Sequence, residues 1–136
     1  MMNQAIIAVA LYAGLNGLVL MWLLSHIGKL RETEKISIGD GGNARLIRAM
    51  RGQGNFVENV PMILLLMLLL ALMGVSIWAI HILGIALFIG RVLHARHFTQ
   101  DDAPGWLRRI GFMLTFLPLL AAALGTIGYA IKGLFL

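Results

Sequence analysis

The chain contains no cysteine, which excludes a disulfide framework, a thiolate zinc site and a protein thiol nucleophile. Charge is scarce too. Only 12% of the 136 residues are Asp, Glu, Lys or Arg, about half the share usual in a soluble domain. An ordinary water-soluble globule is therefore not expected. Acid is scarcer still, with six Asp and Glu against eleven Lys and Arg and a formal net charge of +5. Phenols are limited to Tyr12 and Tyr129. The length allows one small domain, and no internal repeat of solenoid period is present.

What the chain has instead is apolar sequence, 60% of its residues, with a mean hydropathy of +0.88. Sixteen of the 17 charges fall in two windows, 29–58 and 91–109, and the other is Lys132. The uncharged runs 1–28, 59–90 and 110–131 are 28, 32 and 22 residues long. A bilayer-spanning helix needs about 20 mostly apolar residues, so the sequence predicts an integral membrane protein. Residues 1–28 lack a basic leader and an Ala-x-Ala site, and they read as a retained span rather than a signal peptide. Basic residues beside such spans serve orientation and contact with anionic lipid headgroups, and no nucleic-acid partner is expected.

The middle run decides the topology. As one helix, 59–90 would extend about 48 Å, far beyond a hydrocarbon core of about 30 Å. Two crossings fit if the second helix starts near Arg45 and the chain turns at Met73-Gly74-Val75-Ser76. The charges give an independent constraint: 29–51 holds six basic residues, 91–109 holds four, and the Gly74 turn holds none. Both basic loops lie on the cytoplasmic side only if an even number of crossings separates them. The expectation is an all-α, four-helix bundle in a single domain over 1–136, with helices near 4–28, 45–73, 76–98 and 106–131. Both termini would lie outside, in a bacterial inner membrane. Residues 29–43 form the polar connector, with a tight turn at Gly39-Asp40-Gly41-Gly42. Pro104 is placed to start the last helix, and Pro118 predicts a kink within it. Gly84 and Gly90, with Ala71 and Gly74, are small enough for close helix approach.

Polar residues inside apolar spans carry the functional signal. The second helix opens Arg48-Ala49-Met50-Arg51-Gly52-Gln53-Gly54-Asn55-Phe56-Val57-Glu58-Asn59-Val60-Pro61. Arg51, Asn55 and Glu58 follow at i, i+4 and i+7 on one face, and Arg48 extends that stripe by a turn. A leucine run follows at once, so Glu58 sits at or just below headgroup depth, where a carboxylate needs partners or a wet cavity. Arginines, an amide and a carboxylate together suit a small zwitterion with more than one carboxylate. On the third helix Arg91, His94 and Phe98 share a face, and the fourth opens Trp106-Leu107-Arg108-Arg109. The three clusters lie at one depth and can converge. Plainer readings stand beside this one. Arg108 and Arg109 serve as interface anchors, Arg51 and Glu58 form a structural ion pair, and His26 and His81 are packing residues. His94 and His97 with Asp101 and Asp102 look superficially like metal ligands, but the spacing sets no third ligand, and no metal is expected.

Arg51-x-Gln53-x-Asn55-x-x-Glu58-x-x-Pro61 followed by leucines resembles the second-helix signature of the MAPEG family, the membrane-associated proteins in eicosanoid and glutathione metabolism. Gly90-Arg91-Val92-Leu93-His94 resembles the third-helix motif of that family. The Gly39-Asp40-Gly41-Gly42 loop and Arg108-Arg109-x-Gly111 look like its small bacterial members. The resemblance covers essentially the whole chain. It implies a homotrimer with glutathione as co-substrate between subunits, near the cytoplasmic face. It implies that Arg51, Asn55 and Glu58 hold glutathione, with Glu58 on the ammonium and arginines, among them Arg48 and Arg91, on carboxylates. Gln53 and Arg31 would reach the ligand of a neighbouring subunit, and His94 would line the pocket. The catalytic arginine that stabilises the thiolate matches Arg108 or Arg109, with Arg108 favoured. One departure stands out: Phe98 occupies the position where several relatives carry a tyrosine.

The implied activity is that of a glutathione transferase, or a glutathione-dependent peroxidase, acting on lipophilic electrophiles or hydroperoxides in detoxification. Two other readings fit the residues. One is a non-catalytic structural member that binds glutathione or lipid. The other is a small proton-coupled multidrug transporter using Glu58, although such exporters carry their carboxylate deep in helix one, where this chain has no charge before Lys29.

Overall fold

Asn3 caps the first span by accepting the amide of Ala5 on its side chain at 2.9 Å, which satisfies one of the helix's free N-terminal donors. The computed structural model describes residues 3–135. They form α1 (Gln4–Glu34), α2 (Ala44–Leu72), α3 (Ile77–Thr99) and α4 (Gly105–Phe135), with no strand among the described residues. All four helices are long and apolar enough to cross a membrane. The helix count therefore agrees with the division of the run 59–90 into two.

The boundaries differ from expectation at two ends. α1 continues six residues past 28, because Lys29, Arg31, Glu32 and Glu34 are good helix formers and nothing breaks the helix before Lys35. It ends with Lys35 in the left-handed region (φ 55°), where the amides of Lys35 and Ile36 close on the carbonyls of Glu32 and Arg31. The polar connector thus shrinks to 35–43, with Gly39, Gly41 and Gly42 all at positive φ. α4 runs to Phe135, four residues beyond the expected end, and it passes Pro118 without interruption. Pro104 lies just before the helix rather than inside it, its carbonyl accepting the amide of Leu107 at 3.2 Å. The α2–α3 turn closes in the same manner as the end of α1. The amides of Gly74 and Val75 return to Ala71 and Leu70, with Gly74 at φ 83°. Gly74 is there for that conformation and not for helix approach, since no atom lies near where its Cβ would be.

Successive helices run in opposite directions. At one end Arg45 bridges Glu34 and Asp101, joining the α1 terminus, α2 and the α3–α4 loop. At the other end Asn3 donates to the carbonyl of Ala71 at 3.0 Å, and the Tyr12 hydroxyl meets Nδ1 of His81 at 2.8 Å. α2 and α3 form the middle of the bundle. α1 packs on both from one side and α4 from the other, while α1 and α4 do not touch among the described residues.

Apolar side chains gain little by leaving lipid for one another, so close backbone packing has to hold such helices together. Three glycine sites supply it. A side chain at Gly84 would overlap the Tyr12 ring, and Gly52 receives Cβ of Phe98. At Gly90 and Gly111 α3 and α4 meet backbone to backbone: a Cβ at Gly111 would stand 2.8 Å from the Gly90 oxygen and from the His94 nitrogen. The remaining core is Leu23, Phe56, Val60, Ile63, Met67, Ile80 and Leu87. Large apolar side chains such as Leu18, Met62, Ile82 and Leu124 cover the outside. Trp78 and Trp106 stand exposed at opposite ends, as interfacial aromatics do.

Candidate functional site

At the basic end a cleft of about 1000 Å³ opens among α2, α3 and α4. α2 contributes Arg51, Gly54, Asn55 and Glu58, one helical face at intervals of three and four residues. α3 contributes His94, His97 and Phe98, and α4 contributes Gly105, Arg108, Arg109 and Phe112. The Gly90–Gly111 contact brings the start of α4 against His94, so helices far apart in sequence meet here. Arg51, Glu58, Arg108 and Arg109 are all exposed, which makes the site a cleft on the flank of the chain rather than an enclosed chamber.

Its charges are uncompensated. The only ion pairs among the described residues are those of Arg45 with Glu34 and Asp101. Arg51 and Glu58 therefore do not form the structural pair that their spacing allowed. Three guanidiniums and one carboxylate face a shared space without neutralising each other. This arrangement is complementary to a molecule with more anionic than cationic groups. Such bonds are among the stronger polar contacts, about 1.5–3 kcal/mol each.

Behind the wall lies Arg91, fully buried and with no acidic partner. Its Nη1 donates to Asn55 Oδ1 at 2.9 Å, its Nη2 lies 3.2 Å from His94 Nδ1, and its guanidinium stands 5.2 Å from the Phe56 ring centroid. Nε has no partner. A buried cation without a counterion costs several kcal/mol unless other groups compensate it. Here an amide, an imidazole and a π-face do so, and an anion in the adjoining cleft would add to them.

Arg48 also leaves the expected stripe. Its Nη2 donates to the His97 carbonyl at 2.6 Å and lies 3.2 Å from His97 Nε2, with the guanidinium 5.7 Å from the Phe98 ring centroid. That carbonyl belongs to the last turn of α3, which has no helical donor of its own. Arg31 is held by its own connector, donating to the carbonyls of Gly39 at 2.8 Å and Ile36 at 3.4 Å. Gln53 is half-buried on α2 and lies outside the cleft. Of the residues expected at the site, the fold thus gathers Arg51, Asn55, Glu58, His94, Arg108 and Arg109. It places Arg48 and Arg91 behind the wall and Arg31 and Gln53 apart from it. Gly54, His97, Gly105 and Phe112 were not anticipated there. Phe112 is four residues after Arg108, so the helical repeat alone could have identified it.

A family model described as the MAPEG family matches residues 9–128. The Inner membrane protein YecN of Escherichia coli strain K12 is 38% identical over 120 residues, 88% of this chain and 90% of that protein. The protein of the same name from E. coli O6:H1 is similar to the same degree. The match runs through all four helices and every residue lining the cleft, and the chain belongs to the MAPEG family.

Proposed function

We propose that the chain is a glutathione-dependent enzyme of the bacterial inner membrane, a transferase or peroxidase acting on lipophilic electrophiles or hydroperoxides. One observation carries this reading: a single cleft collects three unpaired guanidiniums, one unpaired carboxylate and an amide. Glutathione has the complementary pattern of two carboxylates, one ammonium, two amides and a thiol. Glu58 takes the ammonium, and Arg51 with Arg109 takes carboxylate. Arg108 stands at the thiol. The flank position of the cleft favours a homotrimer in which a neighbouring protomer closes it, with Arg31 and Gln53 serving the neighbour's ligand. Both basic loops then face the cytoplasm, where glutathione is supplied, and the termini lie outside.

A thiol with a pKa near 8.5 is only a few per cent ionised at pH 7. Arginine stays protonated and is no base, but it stabilises the thiolate by charge and hydrogen bonding. Each unit of depression requires about 1.4 kcal/mol of selective interaction. The thiolate sulfur then attacks an electrophilic carbon arriving from the lipid, forming the C–S bond as the leaving group departs with its electron pair. Phe112 and the apolar flank of α4 offer that substrate a surface.

The test is purified protein in nanodiscs with glutathione and chlorodinitrobenzene. Saturable binding, an ultraviolet thiolate signal at neutral pH and conjugate formation are expected. Intact protein that binds no glutathione overturns the reading. Phe98 in the cleft favours one second reading, a binding member without turnover. Saturable binding with neither a thiolate signal nor product would establish it.

A further inference from the structure

The hydrogen-bond polarity of the cleft wall is set from behind. We infer that Arg91 is a positioning residue that makes Asn55 and His94 donors toward the cleft and so selects ligands by their carbonyl and carboxylate oxygens. The inference rests on the glutathione reading for its ligand but on geometry for its logic. A guanidinium has five N–H donors and no acceptor. The Asn55 atom 2.9 Å from Arg91 Nη1 is therefore the amide oxygen, and the His94 nitrogen 3.2 Å from Nη2 is unprotonated. With Oδ1 held by Arg91 the amide cannot flip, and Asn55 keeps its two Nδ2 hydrogens free to donate. With Nδ1 accepting, a neutral His94 carries its proton on Nε2. Neither Asn55 Nδ2 nor His94 Nε2 is among the sealed, unpartnered atoms of the described residues, which are Asn16 Oδ1, Arg48 Nε, Arg91 Nε and His97 Nδ1. Both donors belong to residues that line the cleft.

The consequence is a wall on which Glu58 is the single carboxylate and the neutral polar groups have been turned into donors. An amide free to rotate would accept as readily as it donates, and an imidazole free to choose its tautomer would do the same. Arg91 removes both freedoms without touching the ligand. It also explains why a full positive charge is kept where no acid neutralises it: a neutral residue of that size would leave Asn55 Oδ1 and His94 Nδ1 without a donor.

Two measurements test this on the full-length protein in nanodiscs. The first is nitrogen-15 NMR of the His94 imidazole in the wild type without ligand. The Nε2–H tautomer is expected; Nδ1–H overturns the inference whether or not glutathione binds. The second is a double-mutant cycle of Arg91→Met and Asn55→Ala, read as the dissociation constant of glutathione. Each single variant is expected to weaken binding about tenfold, and the double variant by well under the hundredfold of independent effects. Full additivity, or unchanged binding in Arg91→Met, overturns the inference. Should Arg91→Met not fold, the tautomer still decides. Wild type that binds no glutathione yet shows Nε2–H overturns the proposed function alone.

Discussion

Glu58 and Arg108 face the same cleft, and the proposed reaction gives them different tasks that kinetics can separate. Glu58→Gln removes the charge that meets an ammonium and is expected to raise the dissociation constant of glutathione by about 10- to 100-fold, measured calorimetrically. Arg108→Leu is expected to lower kcat about 100-fold with a smaller change in binding, because it removes stabilisation of the charge developed at sulfur. If Arg109→Leu shows the larger loss of kcat instead, the thiolate role passes to Arg109. The Arg51, Asn55 and Glu58 face was legible in the sequence because intervals of four and three residues on a helix can only coincide. The destinations of Arg48 and Arg31 were not, since both are long, flexible side chains drawn to carbonyls at a helix end or in a loop, and those carbonyls exist only once the chain has folded. Arg91 occupied the expected face, yet no spacing rule shows that it would lie beneath the surface with Asn55 and His94 in front of it.

Among the helices, the contact of α3 with α4 determines where His94 stands relative to Arg108. Gly111→Ala places a methyl carbon 2.8 Å from the Gly90 oxygen, an overpacking expected to cost about 1–3 kcal/mol. Thermal unfolding in detergent should fall accordingly, and turnover should fall with it. Gly28→Ala, with nothing near the added carbon, is expected to leave the unfolding temperature unchanged or raise it. At the end of α1, Lys35 occupies a conformation that costs an L-residue about 1–2 kcal/mol. Lys35→Gly is therefore expected to stabilise the fold by about 1 kcal/mol, read in the same unfolding assay. The four helices were legible from charge-free runs and the positive-inside rule. The ends of α1 and α4 were not, because a helix continues into water for as long as its residues favour it, and apolar length marks only where the lipid stops.

For the whole molecule, the missing cysteines become an experimental convenience. Ile38→Cys in the α1–α2 connector and Lys132→Cys near the end of α4 each introduce a lone thiol. An impermeant maleimide added to intact cells is expected to label position 132 and not position 38; the reverse pattern would invert the proposed orientation. The bundle has a mechanical asymmetry as well. α3 and α4 are pressed spine to spine at Gly90 and Gly111. α2 is the opposing jaw, and its hydrogen-bond ladder lacks one donor at Pro61, a single turn past Glu58. Asn55 and Glu58 thus stand on the one cleft helix whose ladder is interrupted beside the site, and Arg108 stands on the helix seated against α3 at Gly111.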